Sequence, residues 1–124
     1  MKKIISAIAA FAVVLSSLVV SPFAADEKTV SLRIEGKSET YFYGDVTTNA
    51  STVAELMNEV DAANDNLTIT NPTGTYITAI NGDVAGSVAP KYWDGWNDII
   101  NGVAPSAGIG EQQIKDGDVI VFYY

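Results

Sequence analysis

Residues 29–35, TVSLRIE, alternate strictly: Val30, Leu32 and Ile34 are apolar, while Thr29, Ser31, Arg33 and Glu35 are polar. A period of two sends neighbouring side chains to opposite faces, so this stretch predicts a half-buried strand. Gly36-Lys37-Ser38 predicts a turn. Residues 41–48, YFYGDVTT, carry the aromatic and β-branched side chains of a second strand. The two are expected to form an antiparallel hairpin, with Gly44 marking a bulge or a close backbone approach.

The period then changes. Val53, Leu56, Met57 and Val60 recur at i, i+3, i+4 and i+7 and draw one apolar stripe along a helix from Thr52 to about Ala63. Thr52 and Glu55 stand in the T-x-x-E pattern of a capping box, each side chain accepting from the other residue's backbone amide. Asn64-Asp65-Asn66 stops the helix, and Glu55, Glu59 and Asp61 fall on a solvated face.

Short strands are expected at 67–70, 76–80 and 96–100. Asn81-Gly82 and Asn101-Gly102 predict type I′ turns, because both residue types tolerate positive φ. Residues 86–90 read as a loop, and 104–110, APSAGIG, as a flexible one. Lys115-Asp116-Gly117-Asp118 turns into a closing strand, 119–124, that is apolar on both faces and therefore central. This order predicts an α+β fold, a mixed sheet with one helix packed across it. Setting the last strand beside the first makes the arrangement β-grasp-like.

The first 25 residues read differently. Lys2 and Lys3 precede an apolar run from Ile4 to Val20, and Ser21-Pro22-Phe23-Ala24-Ala25 follows as a breaker with small residues. This is the layout of a secretory signal peptide cleaved after Ala24 or Ala25, the alternative being an uncleaved anchor, since the 17-residue apolar run lies at the lower limit for spanning a bilayer. Residues 26–124 are then one exported domain, with no stable membrane insertion once the leader is removed. No Cys is available to carry a lipid anchor, so free secretion as a monomer is the expectation.

Charge sharpens this picture. Fifteen acids face seven bases, a net charge of −8, and there is no His or Cys. All the acids follow residue 25, so the exported part keeps five bases against 15 acids, a net −10. Nucleic acids and anionic membranes are excluded as partners, because both are polyanions. Without His or Cys there is no thiolate nucleophile, no Ser-His-Asp relay, no ordinary zinc site and no disulfide.

What remains for chemistry is limited. Asp94 and Asp98 on one strand would lie too far apart to share a proton, and Asp116-Gly117-Asp118 already has a turn to make. Catalytic residues are therefore expected to be none, and the chain no enzyme. Asp61-x-x-Asn64-Asp65-Asn66 has oxygens for calcium but neither the spacing nor the glycine of an EF-hand, so no metal site and no cofactor are assigned. Asn49-Ala50-Ser51 and Asn66-Leu67-Thr68 match the N-glycosylation pattern. The strongest recognition signal is Tyr92-Trp93-Asp94-Gly95-Trp96. On a strand, Tyr92, Asp94 and Trp96 would face one way and Trp93 the other, leaving at least one ring exposed for binding, or else one indole in the core and one over the sheet edge.

The chain resembles the transcobalamin-like C-terminal domain, found in vitamin B12 carriers and in many exported bacterial proteins of unassigned function. The resembling motifs are VSLRIEG, TVAELMNEV, YITAING, GW followed by IINGVAPSAGIG, and IKDGDVIVFYY, in that order. The resemblance implies a β-grasp-like fold and a corrinoid or other small ligand. It places Tyr92, Trp93 and Trp96, and the loop Ser106, Ala107, Gly108, Ile109 and Gly110, nearest that ligand. The chain departs from the carriers in lacking the large helical domain and the cobalt-ligating histidine, and from many bacterial relatives in having Asp98 where they look aromatic. The expected function is an exported, non-enzymatic binding module. The alternative is a cell-surface module meeting an extracellular protein partner through a sheet edge or the aromatic patch.

Overall fold

The computed structural model describes residues 27–124; the predicted signal peptide lies outside them. Strands β1 (Lys28–Glu35) and β2 (Thr40–Thr48) form the expected antiparallel hairpin. Val30, Leu32 and Ile34 are sealed on its inner face, as the alternation required. The bulge is not at Gly44, which stays in register opposite Leu32 with open space where a Cβ would go. The register instead shifts between Ile34 and Glu35, where the strand enters its turn.

Helix α1 (Val53–Ala63) buries Val53, Ala54, Leu56, Met57 and Val60, the stripe read from the period. Thr52 Oγ1 caps it, accepting from Glu55 N at 3.2 Å. The reciprocal bond lands one residue earlier than the capping box predicts: Glu55 Oε1 accepts from Ser51 N at 2.7 Å. Two first-turn amides find acceptors far along the chain, Val53 N on Gln112 O (3.0 Å) and Ala54 N on Ile109 O (3.1 Å). A helix N-terminus leaves such donors open, and here a distant loop closes them. The acidic face is also more engaged than expected. Glu59 accepts from the Thr48 hydroxyl, and Asp61 Oδ1 accepts from Ile69 N at 3.0 Å. Asn64 Nδ2 returns to Val60 O at 2.9 Å, so these oxygen-rich residues serve the helix stop.

Strands β3 (Ile69–Thr70), β4 (Ala79–Ile80) and β5 (Asp83–Val84) make a small antiparallel sheet in that order. The first two are shorter than the expected 67–70 and 76–80, and β5 carries no alternation that would have announced it. Asn81 (φ 50°) and Gly82 (φ 92°) turn β4 into β5 with the left-handed backbone that an Asn-Gly turn needs. Strands β6 (Asn97–Ile100) and β7 (Val119–Tyr123) complete the larger sheet, ordered β2-β1-β7-β6. Strand β7 runs parallel to β1, with Ile120 opposite Leu32, and antiparallel to β6. It is central, as its apolar run predicted, but only one of its faces is buried: Ile120 and Phe122 are sealed, while Val119 and Tyr123 are exposed.

The inner faces of β1 and β7, the stripe of α1, and Leu67, Ile69, Ile77, Ile80, Trp96, Ile109 and Ile114 form one buried cluster. This is the α+β arrangement expected, a mixed sheet with a helix against it. Replacing Thr52 by Ala should lower stability by about 1 kcal/mol, the usual worth of an N-cap hydroxyl. Urea unfolding reads it as a lower midpoint at constant slope; an unmoved midpoint would mean that the two loop carbonyls alone hold the helix start.

Candidate functional site

Strand β6 sets the site. Asp98 pairs with Phe122 across the sheet, and directly opposed residues share a face. Phe122 is in the core, so the Asp98 carboxylate points inward as well. Trp96, two residues earlier, follows the same face and is 8% exposed. Its Nε1 donates to Asp83 O at 2.8 Å, and its ring meets Tyr124 edge-on, with centroids 5.4 Å apart.

The opposite wall is the 104–114 loop, which from Ala107 onward is tied by hydrogen bonds that its composition does not announce. Ile109 is buried, its N–H donates to Thr75 O at 2.9 Å, and its carbonyl accepts from Ala54 N. Farther on, Gln112 O accepts from Val53 N, and Ile114 N donates to Ser51 O at 3.0 Å. Glycine is required at 108: a Cβ there would lie 2.7 Å from Thr75 Cγ2 and 2.8 Å from the Thr75 carbonyl. Close approach to backbone is what glycine permits.

Between these walls lies a cleft of about 230 Å³. Thr75, Tyr76 and Ile77 line one side, Trp96, Asp98 and Phe122 the base, and Ala107, Gly108, Ile109 and Gln112 the other. Tyr76 is 60% exposed and stands at the rim. Two polar atoms are left over. Gln112 Nε2 donates to Ala107 O at 2.7 Å, but Gln112 Oε1 and Asp98 Oδ2 are buried with no hydrogen-bond partner. Burial pushes the Asp98 carboxyl above the usual carboxylate range, and bonds from the Gln112 side chain and its own backbone only partly offset this.

The structure divides the residues singled out in the sequence. Trp96, Ala107, Gly108 and Ile109 line the cleft; Ser106 and Gly110 flank the loop without lining it. Tyr92 and Trp93 stand elsewhere, 56% and 83% exposed, with Lys91 Nζ 5.0 Å from the Trp93 ring centre. The alternation considered for 92–96 has no strand to act on. Tyr92 takes φ 57°, which no strand residue adopts, and the strand begins only at Asn97. The reason is Asp94, which accepts from Ser87 N (3.1 Å) and Val88 N (2.9 Å) while Gly86 N donates to its carbonyl. The chain therefore curls around Asp94 instead of running straight. Partial desolvation pushes Asp94 upward, but these amide bonds outweigh it and hold the carboxyl below the usual range. Gln112 was not singled out: nothing in Glu111-Gln112-Gln113 marks which amide turns inward, since the first and third are exposed only by virtue of the loop's path.

The family described as a domain of unknown function, DUF4430, matches residues 50–124, which carry the helix, the loop and the cleft. No curated protein matches the chain. Seventeen chains of solved structures match, and two of them illustrate the likeness in fold. One is a "putative metal binding protein" from Ruminococcus gnavus ATCC 29149, with TM-score 0.57 and 16% identity, covering 78% of this chain and 95% of that one. The other is haptocorrin in complex with Cbi, with TM-score 0.52 and 24% identity over 77% of this chain. This chain corresponds to 25% of the haptocorrin chain. The likeness to haptocorrin bears out, at the level of fold, the transcobalamin-like resemblance read from the motifs. Among the described residues no group of three or more acidic side chains converges on a metal-sized site.

Two outcomes follow from this geometry. Gly108→Ala should force the loop off Thr75 and cost about 1–3 kcal/mol, the range for overpacking a tight contact; chemical denaturation measures it, and an unchanged midpoint would deny that the contact is close. Asp98 binds its proton more tightly when folded than when unfolded, so its contribution is full below the unfolded pKa and is lost as pH rises through the folded one. Asp98→Asn, which cannot ionise, should therefore gain thermal stability relative to the parent as pH rises from acidic to neutral. A variant that instead lost stability relative to the parent over that range would reverse the sign of the argument.

Proposed function

This chain belongs to the DUF4430 family, a domain of unknown function, and we propose that it is an exported, non-enzymatic module that binds a small molecule in the cleft beside the Ala107–Ile109 loop. One observation carries the reading: the cleft is walled by Trp96, Ile77, Phe122 and Ile109 yet holds two unpaired buried oxygens. Ligand sites combine apolar walls with a few converging polar groups. At about 230 Å³ the cleft is smaller than the roughly 300–1,000 Å³ of sites that enclose a drug-sized ligand. It admits an arm of a ligand whose body rests at the rim, by Tyr76.

A corrinoid, a planar ring bearing short arms, is such a ligand, and the shared fold with haptocorrin supports trying it first. The non-enzymatic reading is supported by the lack of His and Cys and by Asp94 being committed to its loop. Export is supported by the leader-like residues 1–25. Among the described residues no helix is long and apolar enough to cross a membrane.

A second reading, docking to an extracellular protein, is favoured by Trp93, whose indole stands 83% exposed outside the cleft. The two are separated by titrating the full chain with cobalamin and cobinamide, following tryptophan fluorescence corrected for corrinoid absorbance and then calorimetry. Binding should be weakened by Gly108→Val and left unchanged by Trp93→Ala. Absence of heat up to millimolar corrinoid would remove corrinoids as the ligand; sensitivity to Trp93→Ala alone would move the site to the exposed indole.

A further inference from the structure

The inner end of the cleft has a specific polarity. Gln112 is 7% exposed, and its orientation is set by Nε2 donating to Ala107 O. Its Oε1 therefore stays an acceptor, and no donor reaches it. Asp98 Oδ2 is a second acceptor in the same state. Both side chains line the cleft, so although the Gln112 side chain also bonds the Asp98 carboxyl, one acceptor oxygen on each is left without a donor. Buried acceptors without donors are rare in folded proteins and call for an unseen partner.

The partner's chemistry follows from the count. A carboxylate selects a cation over a neutral hydroxyl. A calcium ion wants about six to eight oxygens, and one carboxylate with one amide falls well short. A guanidinium presents a flat fork suited to both oxygens of one carboxylate, whereas an ammonium offers three separable donors. Single free oxygens on two different side chains suit the second. The walls beyond them, Trp96, Ile77 and Phe122, are apolar, so the cation should come on a hydrocarbon stem. An inward charge on an edge strand such as β6 can also guard the edge against aggregation, but that role leaves Gln112 Oε1 unexplained.

We propose that the cleft seats a primary alkylammonium group, with the Asp98 carboxylate and the Gln112 side-chain carbonyl accepting its N–H bonds and Trp96, Ile77 and Phe122 enclosing its stem. The proposal rests on the reading of this cleft as a small-molecule site and names the group that enters it. Amide resonances of the uniformly labelled full chain, titrated with n-butylammonium, n-butanol and calcium chloride at matched ionic strength, test it. Butylammonium should give saturable shifts at Asp98, Ile109, the Trp96 indole and the Gln112 side-chain amide. Butanol should bind about tenfold more weakly or less, given the strength of charge-assisted hydrogen bonds. Asp98→Asn should reduce butylammonium to the level of butanol.

Equal binding of butanol and butylammonium would overturn the ammonium seat while leaving the small-molecule reading intact. The same shifts with calcium would replace it with a metal site. No shift with any of the three would remove the ammonium seat, while a corrinoid response would keep the broader reading. The comparison of the two butyl probes on the unaltered protein stands whether or not the Asp98 variant folds.

Discussion

The start of helix α1 depends on a loop more than fifty residues away. Val53 N and Ala54 N need acceptors that their own turn cannot supply, and Gln112 O and Ile109 O supply them. That pair of bonds fixes where the Gly-rich connection between β6 and β7 must run. From there the other constraints follow in order. Ile109 enters the core, its N–H reaches Thr75, and Gly108 passes too close to Thr75 for any side chain. The cleft is the space that this strapped loop leaves above the inner face of β6.

Three aspartates show what is unusual in that space. Asp118 is buried, with Oδ1 accepting from Asn101 Nδ2 at 2.9 Å and Oδ2 from Lys115 N at 2.8 Å. Its charge is matched by donors, and it holds the turn into β7. Asp94 is likewise saturated, gathering the 86–94 loop around itself. Asp98 keeps an oxygen that nothing meets. Leaving a buried acceptor unmade costs about 1–3 kcal/mol, and packing pressure alone gives no reason to retain a carboxylate there. The contrast with Asp118 argues that the deficit belongs to the site and not to the way this fold treats acids in general.

The two tryptophans separate for a related reason. Trp96 enters the core because β6 alternates from it and because Asp83 O is placed to accept its indole N–H. Trp93 precedes the turn that Asp94 organises and stands largely exposed, with Lys91 over its ring. Three residues apart in sequence, they belong to different surfaces. Trp96 therefore reports on the cleft and Trp93 on the exterior, which makes the pair useful as independent probes.

Periodicity alone determined much of this protein. Val30, Leu32 and Ile34 at a period of two, and Val53, Leu56, Met57 and Val60 at the helical period, each specify a buried face by local geometry. Asn81-Gly82 and Asn101-Gly102 specify their turns by backbone tolerance, and the apolar run 119–124 specifies a central strand. These features are legible because their cause lies within a few residues. The two-residue strands are too short to show a period. The curl at 86–94 depends on one carboxylate finding amides six and seven residues back. The order of the loop depends on donors at a helix start across the molecule, and so does the choice of Gln112 over its neighbours as the inward side chain. Composition made 104–110 look free, and only tertiary contact decided that its 107–109 part is tied to Thr75, Gln112 and the helix start. Asp98 was visible as an acid on a strand, but its burial without a partner is a property of the assembled walls, which no local pattern encodes.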